Sequence, residues 1–281
     1  MCSSDLFKTG FKSGGIDNSA LPSNSLAGLA SSNPAVVQAT KDALIFKSET
    51  AIGGEVGVKS RLDDGAITLN ATAYWYKFDD LQVQNFNART VQFVTSNAGQ
   101  VTTKGIDLFA GWRTPVDGLS FSSNLSFLDA EYTGNFIQPG NDGTLGTADD
   151  VNLKGRRTSQ APRFSGNLAA DWEIPIGTDY QLTLGGNLAY NSGYITDEAT
   201  LEDDYEQGSF ATVDLSVGFG PADGRWRLSL IGVNVTDEIY VITSGGRPFL
   251  ATGTGFLPGG DDIVLTQNRG RQVFIEGRIR F

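Results

Sequence analysis

Apolar and polar residues alternate one by one along most of this chain. Gly54, Val56, Val58 and Leu62 alternate with Glu55, Gly57, Lys59 and Arg61, and Ile67, Leu69, Ala71, Ala73 and Trp75 with Thr68, Asn70, Thr72, Tyr74 and Tyr76. The pattern returns at Ile106, Leu108, Ala110 and Trp112 against Asp107 and Phe109, and at Leu119, Phe121, Leu125 and Phe127 against Ser120, Ser122, Asn124 and Ser126. It continues through Phe164 to Ile174 against Asp171 and Glu173, through Leu182 to Tyr190, and through Val213 to Phe219 against Asp214. Trp226, Leu228 and Leu230 open a further stretch whose alternation slips at Leu230-Ile231, which predicts a bulge or a change of environment there. The final stretch sets Val273, Ile275, Gly277, Ile279 and Phe281 against Gln272, Phe274, Glu276, Arg278 and Arg280. A period of two places successive side chains on opposite faces of a strand.

The connections come in two lengths. Asp63-Asp-Gly65, Pro115-Val-Asp-Gly118, Pro175-Ile-Gly-Thr-Asp179 and Gly220-Pro-Ala-Asp-Gly224 read as tight turns. Between them lie long polar stretches at about 16–43, 134–159, 194–208 and 241–270. Short connections on one side and long ones on the other are the layout of a membrane barrel. The fold class expected is all-β: an antiparallel up-and-down transmembrane β-barrel segment of about ten strands. The C-terminus then lies on the periplasmic side, and Trp75, Trp112, Trp172, Tyr190 and Trp226 form two aromatic girdles. The polar faces put Glu55, Lys59, Arg61, Asp107, Asp171, Glu173, Asp214, Glu276, Arg278 and Arg280 toward a lumen. Charges of both signs there need water or a polar filling.

Composition narrows the chemistry. The chain has 281 residues, is 40% hydrophobic and has no run of 18 apolar residues, so no transmembrane helix is coded. Its mean hydropathy of -0.16 does not exclude a barrel, because only alternate residues meet lipid. Net charge is -11, and clustered Lys and Arg of the nucleic-acid-binding kind are missing. The absence of His removes Ser-His-Asp and Cys-His catalysis and all His metal sites. One Cys, Cys2, excludes an internal disulfide or a thiolate zinc cluster. No cofactor is implied, and no enzyme of the usual classes.

Candidate sites fall in the long connections. Asp142, Asp149 and Asp150 sit among glycines in a loop that could offer oxygens to calcium, although no Glu closes it as in an EF-hand; a solvated loop is the simpler reading. Asp197, Glu198, Glu202, Asp203, Asp204 and Glu206 make an acidic loop that could contact divalent cations bridging to lipopolysaccharide, or simply stay solvated. Arg247, Phe249 and Phe256 in the last loop, with Lys154, Arg156, Arg157 and Tyr205, are candidates for gripping an anionic planar ligand by charge and stacking. Loop packing accounts for the aromatics equally well. Asn-x-Ser/Thr triplets at Asn70, Asn124 and Asn234 are read as chance occurrences in strands.

A set of ordered stretches then resembles one family. They are Ser48-Glu-Thr-Ala, Glu55-Val-Gly-Val-Lys59, Asn97-Ala-Gly99, Lys104-Gly-Ile-Asp107 and Leu128-Asp-Ala-Glu-Tyr132, followed by Leu153-Lys-Gly155, Ala161-Pro-Arg-Phe-Ser165 and Asn234-Val-Thr-Asp-Glu-Ile-Tyr240. Together they are similar to the C-terminal part of the β-barrel of a TonB-dependent outer-membrane receptor. The resemblance implies a 22-stranded barrel with an N-terminal plug. It also implies uptake of a scarce ligand, most often a ferric siderophore or similar small iron chelate, powered by the TonB complex through the plug. Phe281 resembles the terminal aromatic by which the barrel-assembly machinery recognises its clients, and outer-membrane lipid is the surrounding solvent.

Residues 1–6 show no basic or apolar signal-peptide region, and one codon choice for them resembles sequencing adapter. They are expected to be a non-native leader, with 7–281 the C-terminal part of a barrel whose N-terminal half and plug are missing. A passive porin, a soluble or surface β-sandwich and an outer-membrane hydrolase are the rival readings at this point.

Overall fold

A computed structural model of the protein describes residues 2–17, 30–87, 92–138, 148, 150–196, 206–246 and 263–280. Among these the strands in chain order are β1 (Cys2–Lys12), β2 (Gly15–Ile16), β3 (Ile45–Phe46), β4 (Glu49–Leu62), β5 (Ile67–Asp79), β6 (Gln82–Asn87) and β7 (Gln92–Asn97). They continue with β8 (Gln100–Arg113), β9 (Leu119–Tyr132), β10 (Ile137–Gln138), β11 (Val151–Asn152), β12 (Phe164–Ile176), β13 (Tyr180–Asn191) and β14 (Tyr194–Ile195). The last are β15 (Glu206–Gln207), β16 (Phe210–Pro221), β17 (Trp226–Val233), β18 (Val241–Gly246), β19 (Ile263–Gln267) and β20 (Gln272–Ile279).

Ten of these form one antiparallel sheet in the order β1-β4-β5-β8-β9-β12-β13-β16-β17-β20. Each strand pairs with the next long strand in the chain, so the sheet is an up-and-down meander. The expected tight turns join β4 to β5, β8 to β9, β12 to β13 and β16 to β17. Asp63, Asp64 and Gly65 all take positive φ in the first of them. Gly118, at φ 74°, is required in the second: a Cβ there would come within 2.0 Å of the Glu173 carbonyl oxygen. At the other rim the pairs do not dissolve into irregular loops. Each continues as a separate two-stranded ribbon, β2–β3, β6–β7, β10–β11, β14–β15 or β18–β19.

Cross-strand register sorts the side chains into two faces. Val56, Ala73, Ile106 and Phe127 share one row on the apolar face, and Val58, Ala71, Leu108, Leu125, Gly166 and Tyr190 the next. Many large apolar side chains of this face are exposed, Val56 by 60%, Leu168 by 51% and Ile275 by 76%, and others such as Val58, Leu108 and Leu125 are half-buried. In water such a face would be a liability, and in hydrocarbon it is the natural surface. Aromatics concentrate at its two margins. Trp112 stacks on Phe121 and Tyr180 on Phe219 toward the short turns, while Phe164 packs between Phe127 and Tyr190 toward the long connections. A strand of the length of β5, 13 residues, runs roughly 43 Å, and a tilt of about 40° leaves roughly 33 Å of rise, enough to cross a bilayer core.

The structure departs from the sequence-based expectations in four places. Residues 34–44 are a helix, α1 (Pro34–Leu44), inside what reads as a polar loop; Asn33 caps it by accepting from the Ala35 N–H at 3.0 Å, with Pro34 opening the first turn. Strand β1 begins at Cys2, ahead of Phe7. Its register puts Ser3 and Asp5 on the apolar face opposite Val58 and Val56, so apolar residues fill that face only from Phe7 onward. No bulge occurs at Leu230-Ile231: β17 and β20 pair without a shift, and Ile231 sits opposite Phe274 on the polar face. That apolar pair is the change of environment that the broken alternation records.

The fourth departure lies four residues further on. Asn234 is not in a strand but ends β17, buried at 4% exposure with φ 49°. Its amide ties a compact knot: Oδ1 accepts from the Glu238 N–H at 3.0 Å and the Thr236 hydroxyl at 3.2 Å, and Nδ2 donates to the Glu238 carbonyl at 2.8 Å. Its own N–H donates to Asp214 at 2.8 Å, and the Val235 N–H to the Val213 carbonyl at 2.8 Å, so the knot replaces β17 as the partner of upper β16. Asp237 accepts from the Arg271 N–H at 2.7 Å and closes the same knot onto β20.

Among the described residues, well-buried apolar packing collects at the long-connection end, where Ala98, Val101, Tyr132, Phe136 and Leu153 form a cluster with Phe78, Leu81 and Val83 against it. The wall itself is one layer with two solvent-facing sides.

Two expectations follow for the assembled barrel in lipid. Leu108→Arg, at mid-height on the apolar face, should lower stability by about 2–4 kcal/mol, whereas Ser126→Arg on the polar face of the neighbouring strand should cost far less. Equilibrium urea unfolding in bilayers reads both. Asn234→Ala should cost about 1–3 kcal/mol, because it strands the Glu238 N–H and carbonyl. The same substitution should speed proteolysis in residues 241–246, and Thr236→Ala should do little by comparison.

Candidate functional site

The polar face is the chemically equipped side of the sheet. Lys59, Asn70, Phe109, Asn124 and Asn167 stand in one register row across five strands. Asn124 donates its amide N–H to the Asn167 Oδ1 at 3.1 Å, and Asn167 donates in turn to Asn187 at 3.1 Å. Beside this ladder Asp107 accepts from the Ser126 hydroxyl at 2.7 Å. All of these but Asn187, with Thr212, Phe210 and Tyr240, line a groove of about 740 Å³ on the wall. It is rich in amides and hydroxyls, with Lys59 and Asp107 as its charges.

Glu55 is the most elaborately held of the predicted charges. Lys8 on β1 meets its Oε1 at 3.0 Å, and the Tyr76 hydroxyl on β5 donates to the same oxygen. Glycine makes room for this. A Cβ at Gly53 would collide with the Tyr76 ring, and one at Gly105 with the Tyr74 hydroxyl, so both rings lie across the neighbouring strand. Asp214 accepts from the Asn234 N–H. The remaining predicted residues of this face stand toward the short turns: Arg61 on β4, Asp171 and Glu173 on β12, and Glu276 and Arg278 on β20, with Arg280 just beyond.

At the opposite rim three long connections are sewn together. Arg157 pairs with Glu206 at 2.6 Å, which joins the basic loop to the end of the acidic one. The Gln160 N–H donates to the Ile195 carbonyl at 2.8 Å, and the Tyr194 hydroxyl to the Val241 carbonyl at 2.9 Å. Gln207 accepts from the Val241 N–H at 2.7 Å, and Thr196 and Ser244 share a hydroxyl hydrogen bond. Phe210 stacks on Tyr240 with ring centres 3.9 Å apart, and Tyr194 meets Phe210 edge-on. Burial, then the neighbouring Tyr240, push the Tyr194 phenol above its ordinary value.

The structure therefore separates the three basic residues of 154–157. Arg157 is committed to Glu206, whereas Lys154 and Arg156 are exposed at the rim. Asp150 is half-buried. Asp142, Asp149, Tyr205, Arg247, Phe249, Phe256 and Phe281 lie outside the described residues, as do Asp197, Glu198, Glu202, Asp203 and Asp204. Among the described residues no cluster of three or more acidic or Cys side chains could hold a metal ion. Sequence reasoning missed Lys8, Tyr76, the amide ladder and the Tyr194–Phe210–Tyr240 group. Lys8 was accessible in principle, since Phe7-Lys-Thr-Gly-Phe-Lys12 already alternates. The ladder required the register, which pattern does not supply.

Comparison with known proteins places this geometry. A search of the curated proteins finds no match in sequence. Among solved structures, the ferric yersiniabactin uptake receptor FyuA from Yersinia pestis matches 99% of this chain with a TM-score of 0.69 at 21% identity. The ferric preacinetobactin receptor BauA from Acinetobacter baumannii matches 98% with a TM-score of 0.60 at 15% identity, and the copper transporter OprC 84% with a TM-score of 0.58 at 14%. The chain spans 35%, 33% and 32% of those three proteins. At such identities the likeness is one of fold. A family model described as TonB dependent receptor-like, beta-barrel, matches residues 7–235. The chain belongs to the TonB-dependent receptor β-barrel family, proteins of the bacterial outer membrane.

Proposed function

We propose that this chain is one sector of the wall of a closed, plug-filled outer-membrane receptor that takes up a scarce metal chelate, a ferric siderophore, using energy delivered by the TonB complex. The observation that carries the reading is the two-faced meander: an exposed apolar face between aromatic margins, backed by a polar face of amides and charges. Membership of the receptor family supports it. The uptake functions named for FyuA and BauA support an iron chelate as the ligand, and OprC marks copper as the alternative cargo within the same fold.

Physics requires the remainder of a barrel. The free edges of β1 and β20 carry backbone groups that hydrocarbon cannot satisfy, so further strands must close the sheet. In this reading those strands, and the plug through which TonB acts, lie in further chain; the matched structures are about three times the length of this one. In this reading the chain does no covalent chemistry. It supplies wall and rim: ligand meets the long connections first, with Lys154 and Arg156 among the exposed cations there. Tyr205, Arg247, Phe249 and Phe256, outside the described residues, are proposed to act with them, and Phe281 to serve assembly.

Uptake of radioactive iron by iron-starved cells expressing the intact receptor tests this. Transport should require TonB, and Lys154→Glu with Arg156→Glu should weaken binding of an anionic ferric chelate roughly tenfold, about 1.4 kcal/mol, with barrel assembly unchanged. TonB-independent entry that saturates with no chelate preference would identify a passive pore instead.

A further inference from the structure

Charge on the apolar, lipid-facing side of the sheet is confined to one place. Among the described residues of the ten sheet strands, and apart from Asp5, that face carries charge only at Lys77 and Asp79 on β5, Lys104 on β8, and Asp129 and Glu131 on β9. The three strands are neighbours, and all five residues lie at their long-connection ends. Lys104 and Asp129 share a row with Trp75, directly above the row of Ala73, Ile106 and Phe127. Lys77, Thr102 and Glu131 share the next row, and Asp79 stands opposite Gln100 in the one beyond. At the other margin, toward the short turns, the same face ends in uncharged residues such as Leu62, Ile67, Trp112, Trp172, Phe219 and Trp226.

The five groups are paired yet open. Lys104 Nζ meets Asp129 Oδ2 at 3.1 Å, and Lys77 Nζ meets Asp79 Oδ1 at 3.1 Å. Gln100 donates to the same Asp79 oxygen at 2.7 Å, and the Thr102 and Thr133 hydroxyls share a hydrogen bond beside them. The Lys104 side chain is 56% exposed, and those of Asp79 and Asp129 are 42% exposed. An exposed ion pair contributes little in water, and hydrocarbon makes every such charge costly. The wall therefore meets a polar, charged layer at this margin and a different layer at the other. Each ammonium has three donors and gives one to its carboxylate, so donors remain for an anion. Asp79, Asp129 and Glu131 would repel a headgroup that offered phosphate alone, whereas sugar hydroxyls are donors that carboxylates accept. The charges span two strand steps, roughly 10 Å, and two steps of two residues along the strands, roughly 13 Å, an extent that matches a headgroup of more than one sugar.

We propose that Lys77, Asp79, Lys104, Asp129 and Glu131 form a docking surface, on the lipid-facing side of the wall, for the phosphorylated sugar headgroup of an outer-leaflet glycolipid. Lys77 and Lys104 hold its phosphates, and the carboxylates accept from its hydroxyls. The uncharged margin near the short turns faces the leaflet that lacks this lipid. The inference rests on the chain being a membrane wall and is independent of the cargo taken up.

Native mass spectrometry of the intact receptor, with lipids added at fixed ratios, tests the surface. The probes are bis-phosphorylated lipid A, the same lipid with both phosphates removed, phosphatidylglycerol and phosphatidylethanolamine. The receptor should retain bis-phosphorylated lipid A roughly tenfold better than each of the other three. Lys77→Ser with Lys104→Ser should cut that retention roughly tenfold. Lys12→Ser with Arg225→Ser, which removes the same charge at the end of β1 and beside the last tight turn, should leave it unchanged. Equal retention of any other probe, or undiminished retention by the Lys77 and Lys104 variant, would overturn the proposal. Iron uptake measured in parallel keeps the readings apart: no lipid A preference with TonB-dependent uptake intact sinks the docking surface alone. Should the double variant not assemble, the four probes on the unaltered receptor decide.

Discussion

Hydrocarbon offers no hydrogen-bond partner to a peptide group, and this constraint accounts for most of the structure. Every backbone group inside the membrane must be paired within the wall. Neighbouring strands in the chain therefore become neighbours in the sheet; β5 and β8 match from Ile67 opposite Trp112 to Asp79 opposite Gln100, whereas β9 follows β12 only as far as Phe127 and β16 follows β17 only over Leu215 to Phe219. At Asn234 the pairing is interrupted, and there a side-chain amide and a buried turn stand in for the missing strand pairs. The wall has almost no core of its own. Its buried packing collects where the strands leave the apolar zone and become ribbons.

The two faces then follow different rules. The apolar face is simple: aliphatic rows between aromatic margins. The polar face is graded along the strands. Hydroxyls and amides hold the middle, the Lys8–Glu55–Tyr76 group lies toward the long connections, and charges of both signs stand toward the short turns. A passive water-filled wall has no need of such a gradient. In the receptor reading ligand meets the rim at the long connections first.

How much of this could be read from sequence depends on what fixed each feature. The wall strands were legible because lipid on one side and water or protein on the other force a period of two. The tight turns were legible because Asp63-Asp-Gly65 and Gly118 carry residues suited to positive φ. The ribbons were not: β10–β11 and β14–β15 pair only two residues each, too few for a pattern to show. Helix α1 was hidden by a polar stretch in which only Asn33-Pro34 signals a start. Asn234 read as a stray triplet, because its role depends on Asp214, 20 positions earlier. Glu55 could be assigned to the polar face by parity alone, whereas its link to Lys8, 47 positions away, needed register.

The central claim is that the two faces of this sheet meet different media, and spin-label scanning along β8 tests it most directly. Single labels at 104 through 112 in the intact receptor in lipid bilayers would be read by collision with oxygen and with a water-soluble nickel chelate. The account predicts that labels at Ile106, Leu108 and Ala110 collide with oxygen and are shielded from nickel, while those at Asp107, Phe109 and Gly111 show no lipid-like oxygen exposure. A profile in which both sets meet nickel equally, with no period of two, would contradict it and return the chain to the soluble β-proteins.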